Sequence, residues 1–108
     1  ILDAVTQFDA LGPEPLADRE SARFFVSNRH GSLECLSATF RTHVYAPHAH
    51  ETYAIGVILS GCETFNCRGV RHYCSLGDFA LCNPHDVHDG EPLTGVLPIC
   101  CQAFQSSL

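Results

Sequence analysis

The sequence predicts an all-β domain, folded as an antiparallel sandwich or a small barrel. From residue 22 onward, short runs with strand-forming character follow one another, separated by turn residues at the regular spacing typical of such folds. Seven runs have this character, at residues 23–28, 33–45, 52–60, 62–68, 70–75, 78–82 and 95–104. A chain of 108 residues buries enough surface for one hydrophobic core.

The run at residues 33–45 shows the period-two alternation of a strand with one buried face. Apolar residues share one parity and polar residues the other: Leu36, Ala38, Phe40 and Val44 against Ser37, Thr39, Arg41 and His43. Glycines at positions 31, 61, 69 and 77 lie between the runs. Because glycine adopts a positive φ without strain, we expect tight turns at these positions.

The N-terminal segment predicts a short helix or arm. Ile1, Val5, Phe8 and Leu11 are spaced as one face of a helix. The Gly-Pro-Glu-Pro sequence at residues 12–15 ends that helix, because glycine and proline break helical geometry. We therefore divide the chain into an arm and linker at residues 1–22 and a barrel at residues 23–108.

Composition and charge exclude several classes of protein. Hydrophobic residues make up 45% of the chain, which excludes a disordered segment, and no apolar run is long enough to span a membrane. The net charge of −6, with no lysine, repels a phosphate backbone, so we expect these residues alone not to bind DNA. The absence of methionine and of a signal-peptide pattern favours a piece of a longer cytoplasmic protein.

The seven cysteines favour free thiols over a disulfide framework or a metal ribbon. An odd number cannot all pair within the chain, and no C-x-x-C motif is present. We interpret them as buried thiols that pack as small hydrophobic side chains in a reducing compartment.

Three histidines are candidates for a metal or ligand site. His48 and His50 lie two apart, so a strand over residues 47–60 would project both imidazoles from one face. His88 follows Asn83-Pro84, and a sheet that folds back would bring it alongside. Converging neutral imidazoles bind divalent metals. The same rings in a polar pocket would instead hydrogen-bond a ligand, and the spacing leaves both alternatives open.

Arg41 and Tyr53 are further candidates for ligand contacts. A guanidinium at the barrel mouth would clamp a carboxylate or phosphate, whereas a surface position would leave it solvated. Tyr53 either packs in the sheet or contacts a ligand. Asp86 and Asp89 either orient a neighbouring imidazole or cap turns. No nucleophile motif or glycine-rich phosphate loop is present, so we predict no catalytic residue.

Two segments resemble the conserved motifs of the cupin superfamily. They are Pro47-His-Ala-His50 with its continuation to Gly61, and Gly77-Asp-Phe-Ala-Leu-Cys-Asn83-Pro-His-Asp-Val-His88. The resemblance implies an antiparallel cupin-like, or jelly-roll, barrel.

The cupin motifs also imply a metal site. Ala54 stands where the first motif has glutamate, and Glu51 points the other way on a regular strand. A divalent ion such as zinc, nickel or iron would therefore be held by His48, His50 and His88 alone.

Residues 45–92 are similar in more detail to the ligand-sensing domain of AraC-type transcription regulators. The segments that carry the similarity are Tyr45-Ala-Pro-His-Ala-His-Glu-Thr-Tyr-Ala-Ile-Gly56, Phe65-Asn-Cys-Arg-Gly69 and Asn83-Pro-His-Asp-Val-His-Asp-Gly-Glu-Pro92. The resemblance implies a barrel that binds a small-molecule effector. It also implies that the protein forms a homodimer, and that a helix-turn-helix domain outside these residues binds DNA.

The leading hypothesis is therefore a sensor without enzymatic activity, in which the N-terminal arm closes over a filled pocket. One alternative is a small metal-dependent cupin enzyme, an oxygenase or an isomerase, that uses the metal as a Lewis acid or to activate oxygen. Another is a dimerisation scaffold with an empty pocket.

Overall fold

The computed structural model describes residues 3–29, 32–93 and 98–106. Within these ranges the chain forms one short helix followed by nine strands. The elements are α1 (Gln7–Leu11), β1 (Ser21–Ser27), β2 (Leu33–Phe40), β3 (Tyr45–His48), β4 (Tyr53–Ser60), β5 (Cys62–Cys67), β6 (Val70–Ser75), β7 (Phe79–Cys82), β8 (His88–Pro92) and β9 (Ile99–Ser106).

Two antiparallel sheets enclose the core. The larger has the strand order β1-β2-β9-β4-β7, and the smaller has the order β3-β8-β5-β6. Leu36, Phe40 and Ile99 from the first sheet and Phe65 and Cys74 from the second belong to one buried cluster. The predicted all-β antiparallel fold is confirmed, and its core lies between the sheets.

Strand β2 confirms the alternation predicted for it over most of its length. Leu36, Ala38 and Phe40 are buried. The prediction that Val44 shares that buried face is wrong, because this residue is 58% exposed. The reason is that β2 ends at Phe40 and a new strand begins at Tyr45, so the parity does not continue.

The carboxylate of Glu20 holds the chain where β2 ends. It accepts hydrogen bonds from the backbone N–H groups of Arg41, Thr42 and His43 at 2.6, 2.9 and 3.0 Å. A fourth bond comes from the N–H of Ala17 at 2.8 Å. Partial burial would raise the pKa of this carboxyl, but the four N–H donors outweigh it and lower the pKa to about 2.

Glycine turns are confirmed at three of the four predicted positions. Gly61, Gly69 and Gly77 have φ values of 78°, 75° and 90°. Gly69 follows Arg68, which also has a positive φ of 52°, and together they form the tight hairpin between β5 and β6. Gly31 lies outside the described residues.

Two strand predictions are corrected near the histidines. The strand predicted over residues 47–60 is interrupted by a bend at residues 51–52, so β3 and β4 belong to different sheets. Residues 88–92, which lie outside the seven predicted runs, form β8 in the middle of the smaller sheet. Of the last predicted run, residues 95–97 lie outside the described residues and β9 begins at Ile99.

The N-terminal segment lies against the barrel, and its predicted apolar face is formed only in part. Helix α1 has only five residues; Leu11 packs against the core as predicted, whereas Gln7 is buried and Phe8 is 67% exposed and packs edge-on against Phe24. Ile1 lies outside the described residues. The division of the chain at residue 22 stays a prediction.

All seven cysteines are free thiols, as predicted. Five of them are buried: Cys35, Cys67, Cys74, Cys82 and Cys101. No helix in the described part of the chain is long and apolar enough to cross a membrane.

Candidate functional site

The three candidate histidines converge at one end of the space between the sheets. His48 ends β3 and His88 begins β8, and the two residues are register partners. His50 follows two residues after His48 and is buried. The ring centroids lie 4.4 to 5.3 Å apart, and one nitrogen from each ring lies within 4.8 Å of the others.

Each of these rings is oriented by a backbone carbonyl. The Nδ1 atoms of His48, His50 and His88 lie 2.7, 2.6 and 2.9 Å from the carbonyl oxygens of Ala46, Val5 and Asp86. A carbonyl oxygen only accepts, so each Nδ1 carries the proton and donates. The lone pair of each neutral ring is therefore on Nε2, and the three Nε2 atoms are available to a ligand.

Burial and mutual proximity keep the rings of His48 and His50 neutral. The pKa of His48 is lowered to about 4, chiefly by desolvation and to a smaller extent by His88 and His50, against the opposing effect of the hydrogen bond to Ala46. Burial and then His88 lower the pKa of His50 in the same way. Neutral imidazole is the form that binds a metal.

The donor set fits a divalent metal of the zinc, nickel or iron type. Three neutral imidazoles with their second nitrogens hydrogen-bonded are the arrangement that such ions require. The two nearby carboxylates have other partners. Asp89 accepts from the backbone and side-chain nitrogens of Asn66 at 2.7 and 3.1 Å, and Asp86 accepts from the N–H of Asn83 at 3.0 Å. Asp86 caps the turn at residues 83–86, Asp89 binds Asn66 on the neighbouring strand β5, and carbonyls orient the rings instead.

A cavity of about 120 Å³ opens beside the histidines. Its walls are mainly apolar and come from both sheets: Leu36, Phe40, Ala54, Ile58, Phe65 and Cys101. Ala54, at the position where the cupin motif has glutamate, therefore presents a methyl group to the cavity. Ligand sites in proteins commonly combine such apolar walls with a few polar groups.

Arg41 and Tyr53, predicted as ligand contacts, are not among the residues that line this cavity. Arg41 is exposed in the bend that Glu20 holds. Tyr53 begins β4 and is 39% exposed. Because neither side chain lies at the cavity, we leave both out of the proposed site.

The N-terminal segment covers part of the cavity. Gln7 and Ala10 of α1 line it. The backbone N–H of Val5 donates to the carbonyl of Ala49 at 2.8 Å, next to the bond between His50 and the Val5 carbonyl. The arm therefore contacts both the cavity and one of its histidines.

Five polar residues that line the cavity were missed at the level of sequence: Gln7, Tyr45, Glu63, Gln102 and Gln105. A signal existed for Glu63, since it shares strand parity with the buried Phe65 and Cys67 and so places an acid on an inward face. Burial raises the pKa of the Glu63 carboxyl to about 7. Burial, with Cys101 and Glu63 nearby, also raises the pKa of Tyr45.

Comparison with known families places most of the chain in one of them. The chain matches the model of the AraC-like ligand binding domain over residues 30–104. It belongs to this family. No curated protein matches the chain significantly.

Solved cupin structures share the fold of this AraC-like domain. An RmlC-like cupin from Shewanella frigidimarina has a TM-score of 0.69 at 17% identity, covering 98% of this chain and 92% of that one. KdgF from Halomonas sp. has a TM-score of 0.65 at 20% identity, covering 85% of this chain and 84% of that one. The DMSP lyase DddQ from Ruegeria pomeroyi has a TM-score of 0.66 at 17% identity, covering 82% of this chain and 47% of that one. At these identities the likeness shows the fold alone.

Proposed function

We propose that this AraC-like domain senses a small-molecule effector in the cavity between its sheets and passes the occupancy to a DNA-binding domain elsewhere in the polypeptide. One observation carries the proposal: the cavity that contains the three histidines is also lined by the N-terminal arm. An effector that fills the cavity contacts the barrel and the arm at once.

A sensor must have two arrangements that bind its effector with different affinity. A local set of contacts attaches the arm: one hydrogen bond to His50, one to Ala49, the packing of Phe8 on Phe24 and that of Leu11 against the core. Release of these contacts would give the second arrangement. An effector that touches Gln7 and Ala10 favours the arrangement with the arm attached.

His48, His50 and His88 are the residues that would hold a divalent metal in this sensor. When bound, the ion supplies a positive charge that attracts an oxygen atom or other lone-pair donor of the effector. Without an ion, the same three Nε2 atoms accept hydrogen bonds from the effector directly.

The test is a thermal-shift screen of small metabolites, followed by amide hydrogen exchange with the best hit. We expect slower exchange at the Val5 N–H, which the arm's attachment protects, and recovery of the hit chemically unchanged. Unchanged exchange of the arm when the cavity is filled would contradict the proposal.

A metal-dependent enzyme, an isomerase or oxygenase, is the second candidate. The three converging imidazoles favour it, since open metal sites of this kind also perform catalysis. Nuclear magnetic resonance of the screened hit, with zinc, nickel or iron(II) present, separates the two functions: conversion of the hit supports the enzyme, and its persistence supports the sensor.

A further inference from the structure

The cavity has a second polar region, formed by Glu63 and Tyr45, which we call the acceptor pair. Tyr45 begins β3 and is the register partner of Gly90 on β8, and Glu63 lies on the next strand, β5. A Cβ built at Gly90 would lie 3.7 Å from Glu63 Cδ and 3.8 Å from its Oε1. The Glu63 carboxylate therefore lies beside Gly90, two residues along β8 from His88.

The acceptor pair has no hydrogen-bond partner on the described residues. The Tyr45 hydroxyl is buried and unpaired, and none of the hydrogen bonds or ion pairs in this part of the chain reaches the Glu63 carboxylate. Gln7 Oε1, in the same cavity, is also buried and unpaired. Buried polar groups are normally paired, and a ligand that enters the cavity would supply partners for these atoms.

The unpaired atoms share one chemical character, because carboxylate and amide oxygens are acceptors and the hydroxyl oxygen also accepts. No lysine or arginine lines the cavity, so an anionic ligand finds no side-chain countercharge beside Glu63. A group with several N–H donors and a positive charge complements all three oxygens. An ammonium group has this character.

We propose that Glu63 binds the ammonium group of the effector, that Tyr45 accepts a further hydrogen bond from it, and that the effector is a small primary amine. This inference rests on the proposed sensing function, and it adds the chemical class of the ligand. The carboxylate supplies the countercharge and the apolar walls contact the carbon chain.

The size of the cavity limits the amine. A volume of about 120 Å³ is below the range of about 300–1,000 Å³ typical of pockets for drug-sized ligands. A small amine such as propylammonium is therefore the appropriate probe.

The experiment compares three probes of matched length against the protein in metal-free buffer: propylammonium chloride, propan-1-ol and sodium propionate. Binding is followed by the amide chemical shifts of Glu63 and Gly90. We expect propylammonium to bind at least about tenfold more tightly than either of the other two, because only its hydrogen bond to Glu63 joins opposite charges.

Two variants test the residues. Glu63→Gln keeps the shape and removes the charge, so the preference for propylammonium should fall to within about twofold of propan-1-ol. Tyr45→Phe keeps the ring and should weaken propylammonium binding by about threefold to tenfold. The matched control is Glu91→Gln, an exposed acid on β8 that pairs with Arg71, and it should leave all three affinities unchanged.

The outcomes separate this inference from the sensing function. Tighter binding of propan-1-ol or propionate at the same amides would overturn the amine assignment and leave a small-molecule site in place. An ammonium preference that survives in Glu63→Gln would overturn the role of Glu63. If no probe moves these amides, the acceptor pair is not a binding site, while the exchange behaviour of the arm still tests the sensor separately.

Discussion

The histidine cluster and the acceptor pair lie in the same cavity but differ in how their polar atoms are satisfied. Every ring in the cluster donates its Nδ1 proton to a backbone carbonyl, at 2.6 to 2.9 Å. The hydroxyl of Tyr45 is unpaired, and no described side chain donates to the Glu63 carboxylate. The cluster is thus oriented before a ligand arrives, and the acceptor pair is completed only by one.

This difference indicates that the two regions contribute differently to ligand binding. The backbone carbonyls that orient the rings add no charged group to the cavity. A carboxylate without a partner is unfavourable in the empty cavity, and its burial raises its pKa to about 7. The cluster therefore favours a defined geometry, whereas the acceptor pair favours a defined ligand charge.

The largest effect we expect comes from breaking the cluster with His50→Ala. Removal of one of three ligands should reduce nickel or zinc affinity by at least about 100-fold, since the remaining two rings no longer enclose the ion. Calorimetric titration with either metal measures the loss. His72→Ala, at an exposed histidine of β6, is the control and should bind as the unaltered chain does. Equal affinity in the two variants would show that the cluster does not hold the metal.

A smaller effect is expected on the stability of the Glu63→Gln variant, because the ionised carboxylate of Glu63 destabilises the folded chain. The pKa is raised in the folded state from 4.5 to about 7, so the unaltered chain loses stability as the pH rises through this interval. The variant has no such charge. It should be more stable than the unaltered chain by about 1–3 kcal/mol above pH 8 and equal to it below pH 4.5.

Urea denaturation of both chains at several pH values measures this difference. A difference that does not grow between pH 4.5 and 8 would show that Glu63 already has a partner in the folded protein, and the contrast with the histidine cluster would disappear.

Glu20 sharpens the comparison as a carboxylate whose partners are all in place. The pKa of Glu20 in the folded chain, about 2, lies below the ordinary 4.5. Its contribution to the stability of the folded chain is therefore present above pH 4.5 and is lost as the pH falls towards 2. Glu20→Gln replaces one accepting oxygen with an N–H₂ that faces N–H donors. We expect a loss of about 1–2 kcal/mol in the free energy of unfolding at neutral pH, measured by urea denaturation. A stabilising substitution at Glu20, like that expected at Glu63, would show that its N–H donors contribute nothing.

The smallest effect is expected for Arg41→Ala. The side chain is exposed and does not line the cavity, so the affinities for nickel and for propylammonium should change by less than about twofold. Calorimetry with nickel and chemical-shift titration with propylammonium are the measurements. A tenfold loss of either affinity would show that Arg41 belongs to the binding site, in addition to the histidine cluster and the acceptor pair.

The convergence of the histidines could be predicted because their spacing matches a known motif, although the strand assignments around them were wrong. Residues 83–92 contain proline, three aspartate or glutamate residues and a glycine after Asn83, which is typical of a turn, yet His88–Pro92 forms a central strand. Pairing with β3 and β5 on both sides compensates for the poor strand propensity of these residues.

Other features depended on contacts that no local pattern reveals. Gln7 is buried and Phe8 is exposed where the backbone of Val5 attaches the arm to Ala49, and only Leu11 of the helix packs against the core. The end of β2 depends on Glu20, which is far from Arg41 in sequence. Glu63 was detectable from strand parity, but its position in the same cavity as Tyr45 required the sheet order.

The hydrogen bond from His50 to the Val5 carbonyl links two equilibria, the attachment of the arm and the binding of a ligand at Nε2. Such linkage is reciprocal: the factor by which an attached arm strengthens binding at this nitrogen equals the factor by which binding strengthens attachment. One hydrogen bond is worth about 0.5–1.5 kcal/mol, so through this bond alone the factor is at most about tenfold. A coupling of that size shifts the ratio of attached to detached arm by at most about tenfold when a ligand binds at this nitrogen, so a larger response requires further contacts between the arm and the ligand.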